Sequence, residues 1–590
     1  RTFVEEPTMT NTPETSALQG LIQAATDWAA QDPDPVTRAE AEALVASAQD
    51  PDGAVVAAVA AELESRFSSR LAFGTAGLRG ELGAGSNRMN RVIVGQTSAG
   101  FAAFLLARAA RGETTSTPSI VIGYDARVNS DVFARDTAEI MAGAGVRAIL
   151  LPGPLPTPVT AFAVRLLGAS AGVMVTASHN PPRDNGYKVY LGDADGGSQI
   201  APPVDAEIAA HIDAVLDTPL AEFPRDEGYR VAGDEIEDAY VSATAESVRG
   251  GVPAVHEPLS IVYTAMHGVG SDTARRVFAA AGLPEVTVVP EQDRPDGAFP
   301  TVDFPNPEEP GALDLAYRTA REVGADLIVA HDPDADRLAI ALPDPNEAAG
   351  YRRLTGNQLG LILGWQAADR HRAESPDGGT LACTIVSSPA LRAVASDYDL
   401  DYAETLSGFK WVSRVPNLIF GFEEALGYLT RPDLVRDKDG ISASADLIAL
   451  ALQLGTSGLT MWDHLDAASE RFGHFSSSQI TVRLDSPAAV EVLAGRIRTN
   501  PPAAFGDVAV REITDLLEPG RAAVPSNVLR YDLEDGSRVM IRPSGTEPKL
   551  KVYLDTFSDV GTVAERRASA DAALEALTAA ARETLDRASA

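Results

Sequence analysis

Residues 119–180 open on SIVIGYD, continue through an amphipathic DVFARDTAEIMAGAG to RAILLP, and after a further helical segment end on AGVMVTASHN. Short β-branched runs alternating with amphipathic helices predict a parallel α/β sheet whose functional loops lie at strand carboxyl ends. The alternation restarts twice. LSIVYTAMHG, a helix over SDTARRVFAAAG, EVTVVP, a helix to Val323 and ADLIVAHDPDADR form a second unit. TLACTIVSS, a helix over PALRAVASD, a short strand, a helix over GFKWVSRV and NLIFGFEEALGY form a third. Three units of comparable size point to a repeated α/β domain. After about Phe475 the texture changes to alternating strands (SQITVRLD, NVLRYDLEDGSRVMIRPSG, KLKVYLDT) and a final Ala-rich helix, an α+β domain of a different kind. Residues 15–70 are Ala-rich with helical period and predict a helical extension leading into the first domain. The expected division is 1–70 for the extension, packed on the first domain, then 71–245, 246–350, 351–474 and 475–590.

A chain of 590 residues is too long for one core. With 49 basic and 83 acidic residues its net charge is −34, which disfavours nucleic acid and anionic lipid as partners. If the substrate is a phosphate ester, the few cations must converge on one site. A single cysteine, Cys383, fits a reducing cytoplasm and, in the apolar run LACTIV, reads as a buried structural thiol. No segment is expected to supply the roughly 18 apolar residues of a membrane helix. RTFVEEPTMTNT lacks a signal peptide's apolar run, and Met9 is a candidate natural start. A cytoplasmic protein is expected.

Four motifs carry chemistry. In VMVTASHNPPRDNGYKVY, Ser178 follows an apolar strand, and two prolines stiffen the loop that holds its hydroxyl. Such a serine is a candidate nucleophile or phosphoryl carrier, although an isolated Ser-His-Asn-Pro is more often a capped turn. In AHDPDADR, Asp332, Asp334 and Asp336 place three hard carboxylates on one loop, a donor set suited to Mg²⁺. An EF-hand is excluded, because its sixth position would be Arg337 and its twelfth Pro343. In NLIFGFEEALGY a strand runs into Glu423 and Glu424, and SGFKW upstream carries Lys410, a candidate proton carrier if a closed cleft lowers its pKa. In RPSGTEPKLKVY, Arg542, Ser544, Gly545 and Thr546 offer a guanidinium fork, hydroxyls and open backbone N–H groups to a phosphate. FGTAGLRG adds a Gly-rich loop ending in Arg79. No P-loop or dinucleotide fingerprint occurs. Phosphoryl transfer needs a nucleophilic oxygen, a cation, a proton carrier and a clamp on the distant end, and one motif supplies each.

TASHNP, DPDADR, FEEALGY and RPSGTEPK, in that order, resemble the α-D-phosphohexomutase family (phosphoglucomutase and phosphomannomutase) over about residues 70–590. The resemblance implies an α/β protein of four domains around a central cleft, three similar α/β domains plus a C-terminal α+β domain. It implies an intramolecular phosphotransferase of carbohydrate metabolism in which Ser178 is phosphorylated and, with Asp332, Asp334 and Asp336, binds Mg²⁺. Arg337 and Arg79 would face the transferring phosphate, with His179 and Lys188 beside it. Lys410 would be a general acid/base. Glu423 and Glu424 would bind sugar hydroxyls, and Arg542, Ser544, Gly545, Thr546 and Lys549 the distal phosphate. Phosphoserine would phosphorylate a sugar monophosphate, and the resulting 1,6-bisphosphate would turn in the cleft and return its other phosphate to Ser178.

One departure matters. Many members carry Gly-Glu-X-Ser in the sugar loop; here the segment is Phe422-Glu423-Glu424-Ala425, without the serine hydroxyl. The sequence resembles the longer-chain branch, which includes phosphoglucomutases, phosphopentomutases and glucose-1,6-bisphosphate synthases. Glucose phosphate is the first expectation and pentose phosphate the runner-up, with phosphomannomutase and bisphosphate synthase as further alternatives. A catalytically silent sugar-phosphate sensor is disfavoured, since serine, aspartates and lysine are all present. The implied partners are small-molecule sugar phosphates, with neither nucleic acid nor membrane, and the chain acts as a monomer or a dimer.

Overall fold

The computed structural model describes residues 13–50, 52–75, 77–114, 117–375, 377–522, 524–544 and 548–589. Three α/β units share one sheet topology. In the first, Asp184–Leu191, Ala171–Val175, Ser119–Tyr124 and Arg147–Leu150 lie side by side in that order. In the second the order is Leu338–Pro343, Leu327–His331, Ile261–Thr264 and Thr287–Val288. In the third it is Gly427–Leu429, Leu418–Glu423, Thr380–Thr384 and Asp401–Thr405. Numbered along the chain, the spatial order is therefore fourth, third, first, second every time. The first three strands are parallel and the fourth runs antiparallel to the third. Parallel strands buried on both faces require near-continuous apolar runs, and AGVMV and LIVAH are buried throughout.

This repetition positions the site. The connection from third to fourth strand carries Ser178 in the first unit, Asp332, Asp334 and Asp336 in the second, and Glu424 in the third. Three topologically equivalent loops thus meet. One hydrophobic cluster runs through all three units, from Phe162 and Tyr240 through Tyr263 and Phe278 to Phe420 and Phe422.

The fourth unit is an antiparallel sheet in the order His474–Arg483, Lys549–Ser558, Arg538–Pro543, Leu529–Leu533, Val508–Asp515, Ala504–Phe505. Helices Pro487–Thr499 and Val563–Ser589 close a separate core around Ile480, Tyr531, Leu554 and Leu577. Its covalent joint is Gly473, at φ +88°, where a Cβ would lie 2.3 Å from the Phe557 ring, so both the torsion and the space call for glycine.

Helices Pro13–Gln31, Pro35–Ser47 and Gly53–Phe67 pack Ala25, Trp28 and Leu63 against Val92, Ile140 and Leu220 of the first unit. Two boundaries differ from expectation. The division at 245 falls inside helix Glu235–Arg249, and Tyr351–Arg353 completes the second sheet by pairing with Leu338–Pro343. A third correction concerns Arg91–Ala110, a helix long and apolar enough to cross a membrane. It is two-thirds buried within the first unit, as a core helix of a large domain must be.

Candidate active site

Ser178 sits three residues past its strand in left-handed backbone conformation, φ +52°, a geometry costing a non-glycine residue about 1–3 kcal/mol. The buried Arg127 holds it there. Its guanidinium donates to the carbonyls of Ser178 (2.6 Å), Asn180 (2.6 Å), Pro181 (2.8 Å) and Asp184 (3.0 Å). Asp125 lies 3.4 Å from Arg127, and the Phe299 ring of the second unit covers the guanidinium at 4.9 Å. The Ser178 N–H donates to Thr176 Oγ1 (2.8 Å). The whole loop is thus fixed before any substrate arrives.

The Ser178 hydroxyl crosses the domain boundary and donates to Asp332 Oδ2 at 2.8 Å. Asp332, Asp334 and Asp336 are fully buried, and one oxygen from each lies within 4.8 Å of the others. Burial and their mutual repulsion hold Asp332 and Asp334 above the usual carboxylate range. Asp336 is buried as well, but Lys188, Lys438 and Arg337 outweigh that cost and hold it well below. Among the described residues, Asp334 Oδ1 and Asp336 Oδ1 are buried with no hydrogen-bond partner. Converging carboxylate oxygens left without donors fit a hard divalent cation, and three such ligands suit Mg²⁺ with positions left for phosphate oxygen.

Cations surround this centre despite the acidic chain. Lys188, on the fourth strand of the first unit, reaches Asp334 (2.6 Å) and Asp336 (2.7 Å). Arg337 lies 3.7 Å from Asp336 and 3.7 Å from Glu423, and donates to the Ala425 carbonyl. Leu338 N–H donates to the Leu426 carbonyl, so the acidic loop and the sugar loop are joined by main chain. Arg79 donates to Asn180 Oδ1 (3.1 Å). His179 Nδ1 is 3.3 Å from Ser178 Oγ; burial, with Arg337 and Arg79 nearby, holds its imidazole well below the ordinary value and therefore neutral.

Two residues were not singled out from sequence: Arg127 and Lys438. Lys438 lies 3.4 Å from Asp336. Burial opposes its charge, but Asp336, Asp437 and Glu423 outweigh that and raise its pKa. Its segment, DKDG, precedes helix Gly440–Thr456, whose first residue needs to be glycine because a Cβ would meet the Arg337 carbonyl at 2.3 Å. Asp439 caps that helix through the Ile441 and Ser442 N–H groups.

Of the other expected residues, Glu424 accepts from Ser387 Oγ (3.0 Å), with Thr384 Oγ1 3.2 Å from the same carboxylate. Burial raises Glu423. Lys410, expected as a general acid/base, donates to the Thr75 carbonyl (3.3 Å) on the loop that leads to Arg79. Burial lowers its pKa to about 8, with Arg542 adding to the shift and Asp205 opposing it. Lys188 and Lys438 are the lysines beside the acidic loop. Arg542 lies beside Tyr553, and Ser544 N–H donates to the Lys549 carbonyl. Gly545 and Thr546 lie outside the described residues. Cys383 is buried and pushed up to about 12, as befits an inert thiol.

Family models for the three phosphoglucomutase/phosphomannomutase alpha/beta/alpha domains match residues 70–218, 238–345 and 355–470, and that for the C-terminal domain matches 485–573. The chain belongs to this family. It is 51% identical over 79% of its length to a probable phosphomannomutase of Haemophilus influenzae, 93% of which is covered. It is 34% identical over 85% of its length to the phosphopentomutase of Homo sapiens (87% covered), and 32% identical over 85% to the phosphoglucomutase of Staphylococcus aureus (93% covered). Among solved structures, a putative phosphomannomutase from Thermus thermophilus covers 88% of this chain at 22% identity, with 99% of its own length and TM-score 0.64. The protein is thus a phosphosugar mutase of the phosphohexomutase fold.

Proposed function

We propose that this mutase interconverts the 1- and 6-phosphates of a hexose, glucose first, through phosphoserine at Ser178 and a bisphosphate. The observation that carries the mechanism is the 2.8 Å contact between Ser178 Oγ and Asp332 Oδ2, which joins nucleophile and acidic loop across two domains. In the forward half-reaction a sugar hydroxyl oxygen attacks the phosphorus of phosphorylated Ser178. The new sugar O–P bond forms, the Ser178 Oγ–P bond breaks, and the hydroxyl proton must be taken up locally. The Glu423 carboxylate, whose proton affinity burial raises, is the group placed for that proton, and the Lys438 ammonium beside it stays charged. Asp332, Asp334 and Asp336 would hold Mg²⁺ together with a serine-phosphate oxygen. The ion would supply neutralisation of phosphoryl charge.

The chain's own residues do the rest. Lys188, Arg337 and Arg79 face the phosphoryl oxygens, and neutral His179 lies against the serine oxygen. Glu423 and Glu424 bind ring hydroxyls. Arg542, the turn after it and the Lys410 ammonium bind the distal phosphate. A clamp on a unit with its own core lets the cleft accept either end of the bisphosphate.

Ala425 in place of a serine hydroxyl favours a second reading, a pentose phosphate, in line with the names of the human and mouse relatives. Purified protein with Mg²⁺ and catalytic bisphosphate, assayed on glucose, mannose, glucosamine and ribose 1-phosphates, tests both. The highest kcat/KM on glucose 1-phosphate is expected; a higher value on ribose 1-phosphate replaces the first reading with the second. A cytoplasmic location accords with the single reduced, buried thiol.

A further inference from the structure

The end of the first strand of the third unit at Thr384 and the loop after it, residues 385–388, belong to none of the four motifs, yet they touch both the sugar loop and the fourth unit. Ser387 is almost completely buried. Its Oγ accepts the Glu424 N–H (3.1 Å) and donates to Glu424 Oε2 (3.0 Å), while Thr384 Oγ1 lies 2.8 Å from Ser387 Oγ and 3.2 Å from the same carboxylate oxygen. Two hydroxyl protons serve these contacts. The shorter distances order them: Thr384 O–H into Ser387 Oγ, and Ser387 O–H into the carboxylate. Ser387 is then the terminal donor, and it pins Glu424 by main chain and side chain together. A carboxylate held through one oxygen presents the other in a fixed direction.

The other side of Ser387 faces the fourth unit. Its carbonyl accepts from Arg538 Nη2 at 2.7 Å. Arg538 begins the strand Arg538–Pro543 that ends beside Arg542, and it is itself fixed by Asp555 (2.7 Å) and by Glu404 (3.2 Å) of the third unit. Val386 packs against Met540 and Tyr553 in a small shared cluster. A buried polar group with every partner satisfied holds its geometry tightly.

We infer that Ser387 is a positioning residue for sugar recognition: it sets the Glu424 carboxylate and ties that setting to the seating of the fourth unit through Arg538. Where Ala425 supplies no hydroxyl, Glu424 carries more of the discrimination among ring hydroxyls, and its orientation decides how much. This rests on the mutase reading above.

The test is a double-mutant cycle on the full chain, Ser387→Ala against Glu424→Gln, with glucose 1-phosphate and ribose 1-phosphate as probes and Mg²⁺ and bisphosphate present. Ser387→Ala is expected to lower kcat/KM about tenfold, the size of one lost hydrogen bond to a charged group, chiefly through KM. Ser387→Ala with Glu424→Gln should lose no more than Glu424→Gln alone, and Thr384→Val should show a smaller loss of the same kind. Phosphorylation of Ser178 by bisphosphate, read by intact mass, should keep the wild-type rate at saturation in Ser387→Ala. Additive losses in the cycle, or a drop confined to kcat with KM unchanged, overturn the inference while leaving the mutase reading standing. Wild-type protein inactive on every sugar phosphate overturns both. Should Ser387→Ala melt early, the Thr384→Val cycle with Glu424→Gln decides by the same criterion.

Discussion

Ser178 Oγ and Asp332 Oδ2, 154 residues apart in the chain and on different domains, are hydrogen-bonded at 2.8 Å. The contact exists because both residues occupy the same place in a repeated topology, the loop from third to fourth strand. Removing the oxygen removes the covalent carrier. Ser178→Ala is expected to cut turnover by several orders of magnitude in the coupled assay and to abolish phosphate incorporation detected by mass spectrometry. Near-wild-type turnover in that variant would falsify the assignment.

The three carboxylates make a second prediction. Binding of a cation to the folded state alone stabilises it by mass action. Mg²⁺ is therefore expected to raise the Tm of the wild type in a concentration-dependent way, and chelation should abolish turnover reversibly. Asp334→Asn and Asp336→Asn should lose both effects. A Tm that climbs equally with Mg²⁺ in wild type and both variants places the ion elsewhere.

How much of this was legible beforehand depends on where the information lies. The repeated α/β units and the loops at Ser178, Asp332 and Glu423 could be read because an apolar strand running into polar residues is a local signal. Lys438 and Arg127 could not. DKDG and YDARVN look like ordinary polar turns, and each becomes functional through residues far away in the chain: Arg127 through carbonyls 51 to 57 residues on, Lys438 through Asp336. The apolar helix Arg91–Ala110 was missed for a related reason. Its all-round apolar character follows from burial among other elements, which hydropathy alone does not distinguish from burial in lipid.

Arg127 supplies the third prediction. A lysine keeps the charge but offers no planar fork, so it cannot serve four carbonyls at once. Arg127→Lys is expected to release the left-handed turn at Ser178 and to lower kcat about 100-fold, the cost of a misplaced reacting group. KM for the sugar phosphate should change little, because Arg127 touches the loop and not the sugar. Phe299→Ala, which uncovers the guanidinium, should produce a weaker version of the same pattern. A rise in KM with kcat intact would contradict this account, and steady-state kinetics on the two variants separate the cases.

The last prediction turns on Lys410, whose pKa is lowered to about 8 by burial, with Arg542 adding to the shift. A lysine with a depressed pKa is charged below that value and neutral above it. If its ammonium helps bind the distal phosphate, kcat/KM must fall as pH rises through about 8, since that parameter reports the free enzyme. A bound phosphate dianion favours the charged form, so the corresponding fall in kcat should lie at higher pH. Lys410→Arg keeps the charge throughout and should move the alkaline fall in kcat/KM upward with little loss at pH 7, whereas Lys410→Met should raise KM at every pH. The opposite slope, activity increasing through pH 8 in the wild type and collapsing in Lys410→Arg, would make Lys410 the proton carrier in place of Glu423.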